Sequence, residues 1–205
     1  MNPVDPASSL LDDFSLEMTG KDVPALAEAQ GVLPAGTRIN VTFLGNEDLP
    51  MRLAAAAAVR AAGHIPVPHI SARRLGSAAE LEKFLGALSD AGAVENVFVV
   101  AGDPAEPMGP YADSLAVIAS GLPAAHGARH ISISGYPEGH PDIDEQTLWS
   151  ALEQKLAAVQ EQGLEASIIT QFGFDTAPVL AWCEELRGRG ITVPVRIGVP
   201  GPAGI

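Results

Sequence analysis

The sequence predicts an α/β fold of the (β/α)8 TIM-type barrel class. Three observations carry this prediction: strand and helix patterns alternate through seven rounds, polar groups follow nearly every strand, and no Gly-rich phosphate turn follows the first strand. Regular alternation implies parallel strands, because each crossover helix returns the chain to the same edge. An open doubly wound sheet is the alternative, but it should carry that phosphate turn. Only seven strands are predicted, so the eighth strand and the closing helices are lacking in this chain.

The strands are recognised by alternating or continuous apolar residues that end in Gly, Pro or polar groups. Residues 96–100 form a continuous apolar run, typical of a strand covered on both faces. Residues 130–134 alternate and stop in the turn 135–141, in which two glycines and two prolines present Tyr136 and His140. The seven predicted strands are 14–18, 37–43, 65–68, 96–100, 130–134, 167–171 and 193–198.

The helices are recognised by apolar residues at helical spacing, with caps at their ends. Five consecutive alanines within residues 49–62 let that helix pack closely, and Ser77 caps the helix that follows it. The longest helix, 145–162, is predicted to bury one side, formed by Leu148, Leu152, Leu156 and Val159. The other predicted helices are 23–30, 111–121 and 176–189.

Length and composition restrict the class of protein. A chain of 205 residues suits one domain over residues 14–205, after a flexible lead-in over residues 1–13. The formal net charge of −13 argues against nucleic acid or an anionic membrane as the main partner. There is no signal segment and no apolar run that could cross a bilayer, so we expect a cytoplasmic protein. The single cysteine, Cys183, cannot form an internal disulfide and has the spacing of a buried thiol.

Polar residues at the strand ends would converge on the mouth of a barrel. Such a group could be a metal site, an acid/base site or a cofactor cradle. A metal site is disfavoured because Asp103, His69 and His140 show no H-x-x-H or H-x-E spacing. A serine hydrolase is disfavoured because no G-x-S-x-G motif is present. The strand-end residues are Glu17, Thr42, His69, Asp103, Tyr136, His140 and Gln171.

Glu17 is the candidate general acid. It stands beside Phe14, Leu16 and Met18, and an apolar environment disfavours the carboxylate and biases the group toward holding its proton. The alternative is an ordinary strand-end carboxylate that pairs with a nearby basic group.

A series of motifs resembles the methylenetetrahydrofolate reductases. The most specific are Tyr136-Pro137-Glu138-Gly139-His140-Pro141 and Thr170-Gln171-Phe172-Gly173-Phe174-Asp175. The other matching segments are 14–17, 41–43, 68–69, 102–104 and 111–112, so the resemblance covers almost the whole chain in the family's order. It implies a (β/α)8 barrel that binds FAD across the carboxyl ends of the strands. It also implies that NAD(P)H and the folate use the same face of the flavin in turn.

The resemblance assigns roles to individual residues. Glu17 would protonate the departing nitrogen of methylenetetrahydrofolate, Asp103 would lie between flavin and pterin, and Gln171 would hydrogen-bond the pterin. The positions at which the family contacts FAD are Thr42, His69, Gly102, Asp103, Tyr111, Ala112, Tyr136 and His140. The implied activity is the interconversion of 5,10-methylene- and 5-methyltetrahydrofolate with NAD(P)H in one-carbon metabolism and methionine biosynthesis. A homo-oligomer is left open.

Two departures from the family concern the cofactor. Ala101 stands where the family commonly has arginine, and only Lys155 is near the basic positions of the helix before the sixth strand, displaced by a turn or more. Losing two charge-assisted phosphate contacts, each worth roughly 1.5–3 kcal/mol, would weaken FAD binding. Two other functions therefore stay open: a non-catalytic folate- or flavin-binding barrel fragment, and a folate-dependent methyl-transfer protein.

Overall fold

The structure, a computed structural model, describes residues 12–45 and 47–201. Within them seven parallel strands form one sheet, and each strand pairs with its neighbours in chain order. The strands are β1 (Ser15–Met18), β2 (Arg38–Val41), β3 (Ile65–Ser71), β4 (Asn96–Val100), β5 (His130–Gly135), β6 (Glu165–Thr170) and β7 (Val195–Arg196). A doubly wound sheet would reverse its order at a switch point, whereas this order runs in one direction. The predicted fold is confirmed as an incomplete (β/α)8 barrel.

Seven α-helices of the described chain connect these strands. They are α1 (Val23–Glu28), α2 (Leu49–Ala61), α3 (Ala78–Asp90), α4 (Ser114–Ala119), α5 (Leu122–Ala125), α6 (Glu145–Glu161) and α7 (Thr176–Gly188). Five of them begin after a residue whose side-chain oxygen accepts a backbone N–H of the first turn, which satisfies a donor that the helix leaves free. These capping residues are Asp48, Ser77, Asp113, Asp144 and Asp175. None of the helices in residues 12–45 and 47–201 is both long and apolar enough to span a membrane.

Several predicted boundaries differ from the structure, and three of the differences concern the third strand, the helix predicted from residue 111 and β7. The third strand does not stop at Pro68, because its last three residues pair with residues 98–100 of β4. The helix predicted from residue 111 begins only at Ser114, after the Asp113 cap, and is interrupted at Gly121, whose φ of 70° is left-handed. β7 is only two residues long, in place of the six predicted.

The buried face of α6 is rotated from the predicted one. Trp149, Leu152, Lys155 and Val159 are buried, whereas Leu148 and Leu156 are only half-buried. The rotation follows from aromatic packing, since Trp149 stacks on Trp182 of α7 with ring centroids 5.6 Å apart and planes 15° apart. Cys183, on the same helix as Trp182, is half-buried, and burial raises the pKa of its thiol.

An ion-pair cluster connects the two ends of the sheet. Asp13 Oδ2 accepts a hydrogen bond from Arg196 of β7 at 2.7 Å, and the other carboxylate oxygen of Asp13 pairs with Arg38 of β2. Because Asp13 lies two residues before β1, these contacts draw β7 toward β1, as in a curled sheet. Asp13 belongs to the predicted lead-in, of which residues 1–11 lie outside the described chain.

Candidate active site at the carboxyl ends of the strands

The turn that follows β5 separates two cavities at the carboxyl ends of the strands. The first, of about 670 Å³, lies between residues 134–141 and the two stacked tryptophans. The second, of about 700 Å³, lies between the loops after β3 and β4 and the helices α4 and α6. Ser134 and Tyr136 line both cavities. An elongated ligand could therefore contact both sides of this turn.

Close packing fixes the turn at its first residue. A Cβ atom on Gly135 would lie 2.7 Å from Ile168 and 2.9 Å from Trp182, so only glycine fits without a shift of its neighbours. The rings of Tyr136 and His140 pack edge to face with centroids 5.5 Å apart. His140 Nδ1 accepts the backbone N–H of Asp142 at 3.1 Å. The two predicted cofactor contacts of the turn thus lie side by side.

Glu17 lies at the mouth, near the end of β1. It pairs in register with Asn40 of β2, whose side-chain amide donates to the carbonyl of Leu16 at 3.2 Å. Desolvation by the surrounding protein raises the pKa of the Glu17 carboxyl group, as the sequence predicts for a general acid. Within residues 12–45 and 47–201, the side chain of Glu17 forms neither a hydrogen bond nor an ion pair, so the structure shows no basic partner for it.

Asp103 is bound by an arginine that the sequence interpretation did not single out. Arg74 donates to Oδ1 from Nε at 2.9 Å and to Oδ2 from Nη2 at 2.7 Å, which is a two-pronged contact. These bonds lower the pKa of Asp103, which therefore stays ionised at neutral pH. The Arg74 guanidinium also lies 5.3 Å from the centroid of the Phe43 ring. A cation is thus present at the mouth although Ala101 replaces the arginine of the family pattern.

Arg73 connects the two loops that the resemblance assigns to the cofactor. Its Nε donates to the carbonyl of Ala112 at 2.8 Å and its Nη1 donates to the carbonyl of Pro104 at 3.3 Å. Gly102 in the first loop has a φ of 91°, and a Cβ there would lie 3.3 Å from Ser71. In the sequence, the Arg73-Arg74 pair shortly after β3 indicates this role of connecting the loops. The pair is not among the motifs that resemble the family.

Two of the predicted cofactor contacts are buried within the barrel wall. His69 is an internal residue of β3 and stacks edge to face on Phe98 with ring centroids 4.7 Å apart. Burial and, secondarily, the nearby Arg52 lower the pKa of His69 to about 3, so its imidazole is neutral. Neither His69 Nε2 nor Thr42 Oγ1 has a hydrogen-bond partner in the described chain. Unpartnered buried polar atoms are where a bound ligand can supply the missing hydrogen bonds.

Arg52 is the most buried cation beneath this mouth. Its guanidinium lies 3.8 Å from the centroid of the Phe43 ring and 4.4 Å from that of Phe84, and it donates to the carbonyl of His69. Desolvation lowers its pKa to about 10, so it remains charged at neutral pH. Sequence analysis missed this residue because it occupies an apolar helix face, where a buried arginine is not expected.

Glu47 holds the first two strand-end loops together. Its carboxylate accepts the N–H of Gly20 at 2.8 Å and that of Leu44 at 3.1 Å. Glu47 itself is buried. This carboxylate joins the loop after β1 to the loop after β2.

The predicted site residues therefore form separate groups in this structure. Tyr136 and His140 lie on one turn. Gly135 begins this turn, and its carbonyl accepts the backbone N–H of Gln171 at 2.8 Å. Asp103, Gly102, Tyr111 and Ala112 lie around the two arginines after β3, with Tyr111 buried. Glu17 lies on the β1–β2 side. Of the predicted site residues, Tyr136 lines both cavities and His140 lines the first. The residues that line neither cavity are Glu17, Thr42, His69, Gly102, Asp103, Tyr111, Ala112 and Gln171.

The described residues contain no group of three or more His, Cys, Asp or Glu side chains placed to hold a metal ion.

Comparison with known proteins gives a partial match and a structural likeness. The chain is 32% identical over 69 residues to methylenetetrahydrofolate reductase 2 of Saccharomyces cerevisiae. This match covers 34% of the chain and only 11% of the yeast protein. The fold is similar to that of a D-psicose 3-epimerase from Clostridium cellulolyticum, with a TM-score of 0.48, 10% identity and coverage of 91% of this chain and 87% of that one. None of the protein-family models matches the sequence.

Proposed function

We propose that this chain is a flavin-dependent reductase that interconverts 5,10-methylenetetrahydrofolate and 5-methyltetrahydrofolate with NAD(P)H. The observation that carries the proposal is Glu17, a carboxyl group with a raised pKa and no basic partner in the described chain, at the carboxyl end of a barrel strand. In barrel enzymes, the functional groups lie at the face formed by the carboxyl ends of the strands. The partial identity to a yeast reductase supports the same reaction class.

Three features of the mouth support an FAD cofactor in this proposal, and of the proposed contacts Tyr136 and His140 line the cavities. The two adjoining cavities are each in the size range of small-molecule sites, and the turn with Tyr136 and His140 lies between them. Thr42 and His69 offer unpartnered polar atoms, and the arginines after β3 hold the Gly102 and Ala112 loops. The proposed contacts are the eight positions named from the resemblance: Thr42, His69, Gly102, Asp103, Tyr111, Ala112, Tyr136 and His140.

In this proposal the chain's own residues supply the proton and the electrostatics. Bound FAD would accept hydride from NAD(P)H and pass it to the folate. Glu17, whose pKa desolvation raises, gives its proton to the ring nitrogen of methylenetetrahydrofolate as the carbon–nitrogen bond breaks. Asp103, kept ionised by Arg74, stabilises the cationic folate that results. Gln171, exposed beside the turn, hydrogen-bonds the pterin.

Flavin binding tests this function most directly. Purified protein is incubated with FAD, freed of unbound cofactor and measured for flavin absorbance, and each half-reaction is then followed by bleaching and recovery of that absorbance. We expect retained flavin that NAD(P)H bleaches and methylenetetrahydrofolate restores. Protein that retains no flavin contradicts the proposal.

A non-catalytic flavin- or folate-binding barrel is the second candidate. It is favoured by one observation, that the linings of the two cavities do not include Glu17. Retained flavin that neither NAD(P)H nor the folate can reduce or oxidise would support this second candidate.

Replacing Asp103 with asparagine is expected to leave FAD bound and to slow both half-reactions. The exchange removes a negative charge but keeps the size of an exposed side chain, whose surface ion pair with Arg74 is worth only about 0–1 kcal/mol. Stopped-flow flavin absorbance measures the rates, and Asp90→Asn, at an exposed position at the end of α3, is the matched control. Unchanged rates would remove Asp103 from the mechanism.

A further inference from the structure

Asn40 lies on the inner face of the sheet, beside Glu17. Its neighbours along β2, Ile39 and Val41, belong to the same buried apolar cluster as Ala55 of α2, so they face the helices. Because successive residues of a strand point to opposite faces, Asn40 faces the interior of the barrel. Asn40 pairs in register with Glu17 of β1, which places the two side chains next to each other on that face.

The side-chain amide of Asn40 has a fixed orientation. Its Nδ2 donates to the carbonyl oxygen of Leu16, the residue before Glu17, at 3.2 Å. A carbonyl oxygen can only accept, so the nitrogen of the amide and not its oxygen must face Leu16. The remaining atom, Oδ1, is buried and has no hydrogen-bond partner in residues 12–45 and 47–201. Asn40 is only 4% exposed, and a buried carbonyl oxygen without a donor opposes folding.

The other side chains around Asn40 do not supply this donor. Val67, which pairs with Asn40 from β3, has no polar side-chain atom. Arg38, two residues earlier on the same face, has its guanidinium paired with Asp13 at the amino end of the strands. Thr42, two residues later, is one of the proposed cofactor contacts. The remaining neighbour with a polar side chain in this row is therefore Glu17, whose carboxyl group is a donor when it is protonated.

We propose that Asn40 is a positioning residue for Glu17: its Oδ1 accepts the O–H of the protonated carboxyl group and so holds the proton on Glu17 between turnovers. The inference rests on the proposed function, in which Glu17 is the general acid. A hydrogen bond to the neutral form disfavours the charged form, so this contact acts in the same direction as the desolvation that raises the pKa of Glu17. Glu17 is exposed at the mouth, so its carboxyl group can turn from Asn40 to the departing nitrogen.

Titration of the Glu17 carboxyl group in ligand-free protein tests the contact without any cofactor. The side-chain carboxyl carbons of glutamate are labelled with ¹³C and followed by NMR against pH, and the resonance missing from Glu17→Gln identifies Glu17. Leucine has nearly the size of asparagine but no acceptor, so we expect Asn40→Leu to lower the pKa measured for Glu17 by roughly half to one pH unit, the effect of one lost hydrogen bond.

Asn96→Leu is the matched control. Asn96 begins β4, two strands away from Asn40, and its replacement should leave the pKa of Glu17 unchanged. If Asn40→Leu does not fold, Asn40→Ala removes the same acceptor without adding bulk. An unchanged pKa of Glu17 in a folded Asn40 variant, or an equal change in Asn96→Leu, would overturn the proposal.

The two half-reactions separate a positioning role from a structural one. In Asn40→Leu, the pH at which reoxidation of the flavin by methylenetetrahydrofolate slows should fall together with the pKa of Glu17, while reduction by NAD(P)H stays as in wild type. A merely structural residue would slow both half-reactions and leave the pH profile in place, which would contradict the proposal.

The outcome for Asn40 is distinguishable from the outcome for the reductase. A pKa of Glu17 that depends on Asn40, in protein that never reduces a flavin, supports the contact and contradicts the reductase. Turnover of the flavin, with the pKa of Glu17 and the pH profile unchanged in Asn40→Leu, supports the reductase and contradicts the contact.

Discussion

Replacing Glu17 with glutamine is expected to abolish reduction of the folate while NAD(P)H still reduces the flavin. Glutamine keeps the shape of the side chain but has no proton to give to the departing nitrogen, and a general acid contributes roughly 10²- to 10⁴-fold to a rate. The folate half-reaction is followed by reoxidation of reduced flavin with methylenetetrahydrofolate. Glu28→Gln, exposed at the end of α1, is the matched control. Loss of both half-reactions together would show that Glu17 supports the fold or the cofactor instead.

The pH dependence of this half-reaction follows from the raised pKa of Glu17. The protonated form is the active one, so the rate is expected to be highest below that pKa and to fall as the pH rises through it. The stability of the fold also falls as the pH rises through this pKa. A pKa raised by folding means that ionisation of the group opposes the folded state, and the resulting loss of stability is complete above the folded pKa. At a pH above the folded pKa of Glu17 the glutamine variant should therefore melt at or above the wild-type Tm, and its rate should lack this pH dependence.

Replacing Arg52 with alanine is expected to destabilise the fold by about 2–4 kcal/mol. The change removes a side chain packed between the rings of Phe43 and Phe84 and leaves the carbonyl of His69 without its donor. Release from the desolvation that lowers the pKa of Arg52 offsets part of this loss. The free energy of unfolding is measured by urea denaturation.

Two variants of the same helix control for the Arg52 result. Arg60→Ala is exposed in the last turn of α2 and should stay within about 0.5 kcal/mol of wild type. Arg52→Met keeps most of the apolar stem and should lose less stability than alanine does. If Arg52→Ala, Arg52→Met and Arg60→Ala are equally stable, the Arg52 side chain does not stabilise the fold beneath the site.

The fold was predictable because its signals are local. The continuous apolar run at Asn96–Val100 and the cap at Ser77 are each contained in a few neighbouring residues, and both are confirmed. The third strand was predicted too short because its last residues are specified by pairing with β4, nearly thirty positions away. Long-range pairing of this kind leaves no periodic trace in the segment itself.

The site was predictable in its residue types but not in its contacts. Asp103 follows a strand, which the sequence shows, but its pairing with Arg74 depends on two loops 29 residues apart. The buried position of Lys155 depends on the rotation of α6 that Trp149 sets by stacking on Trp182. Apolar periodicity places a helix face to within about one residue, and one residue decides whether Lys155 is buried.

The stacked tryptophans give the chain an optical reporter of its own site. Trp149 and Trp182 are the two tryptophans of the whole sequence, and both line the first cavity, beside the turn that presents Tyr136. Oxidised flavins absorb light in the region where indole rings emit. A flavin seated against this turn would therefore quench the entire tryptophan emission of the protein by energy transfer, so occupancy can be followed in unlabelled wild-type protein.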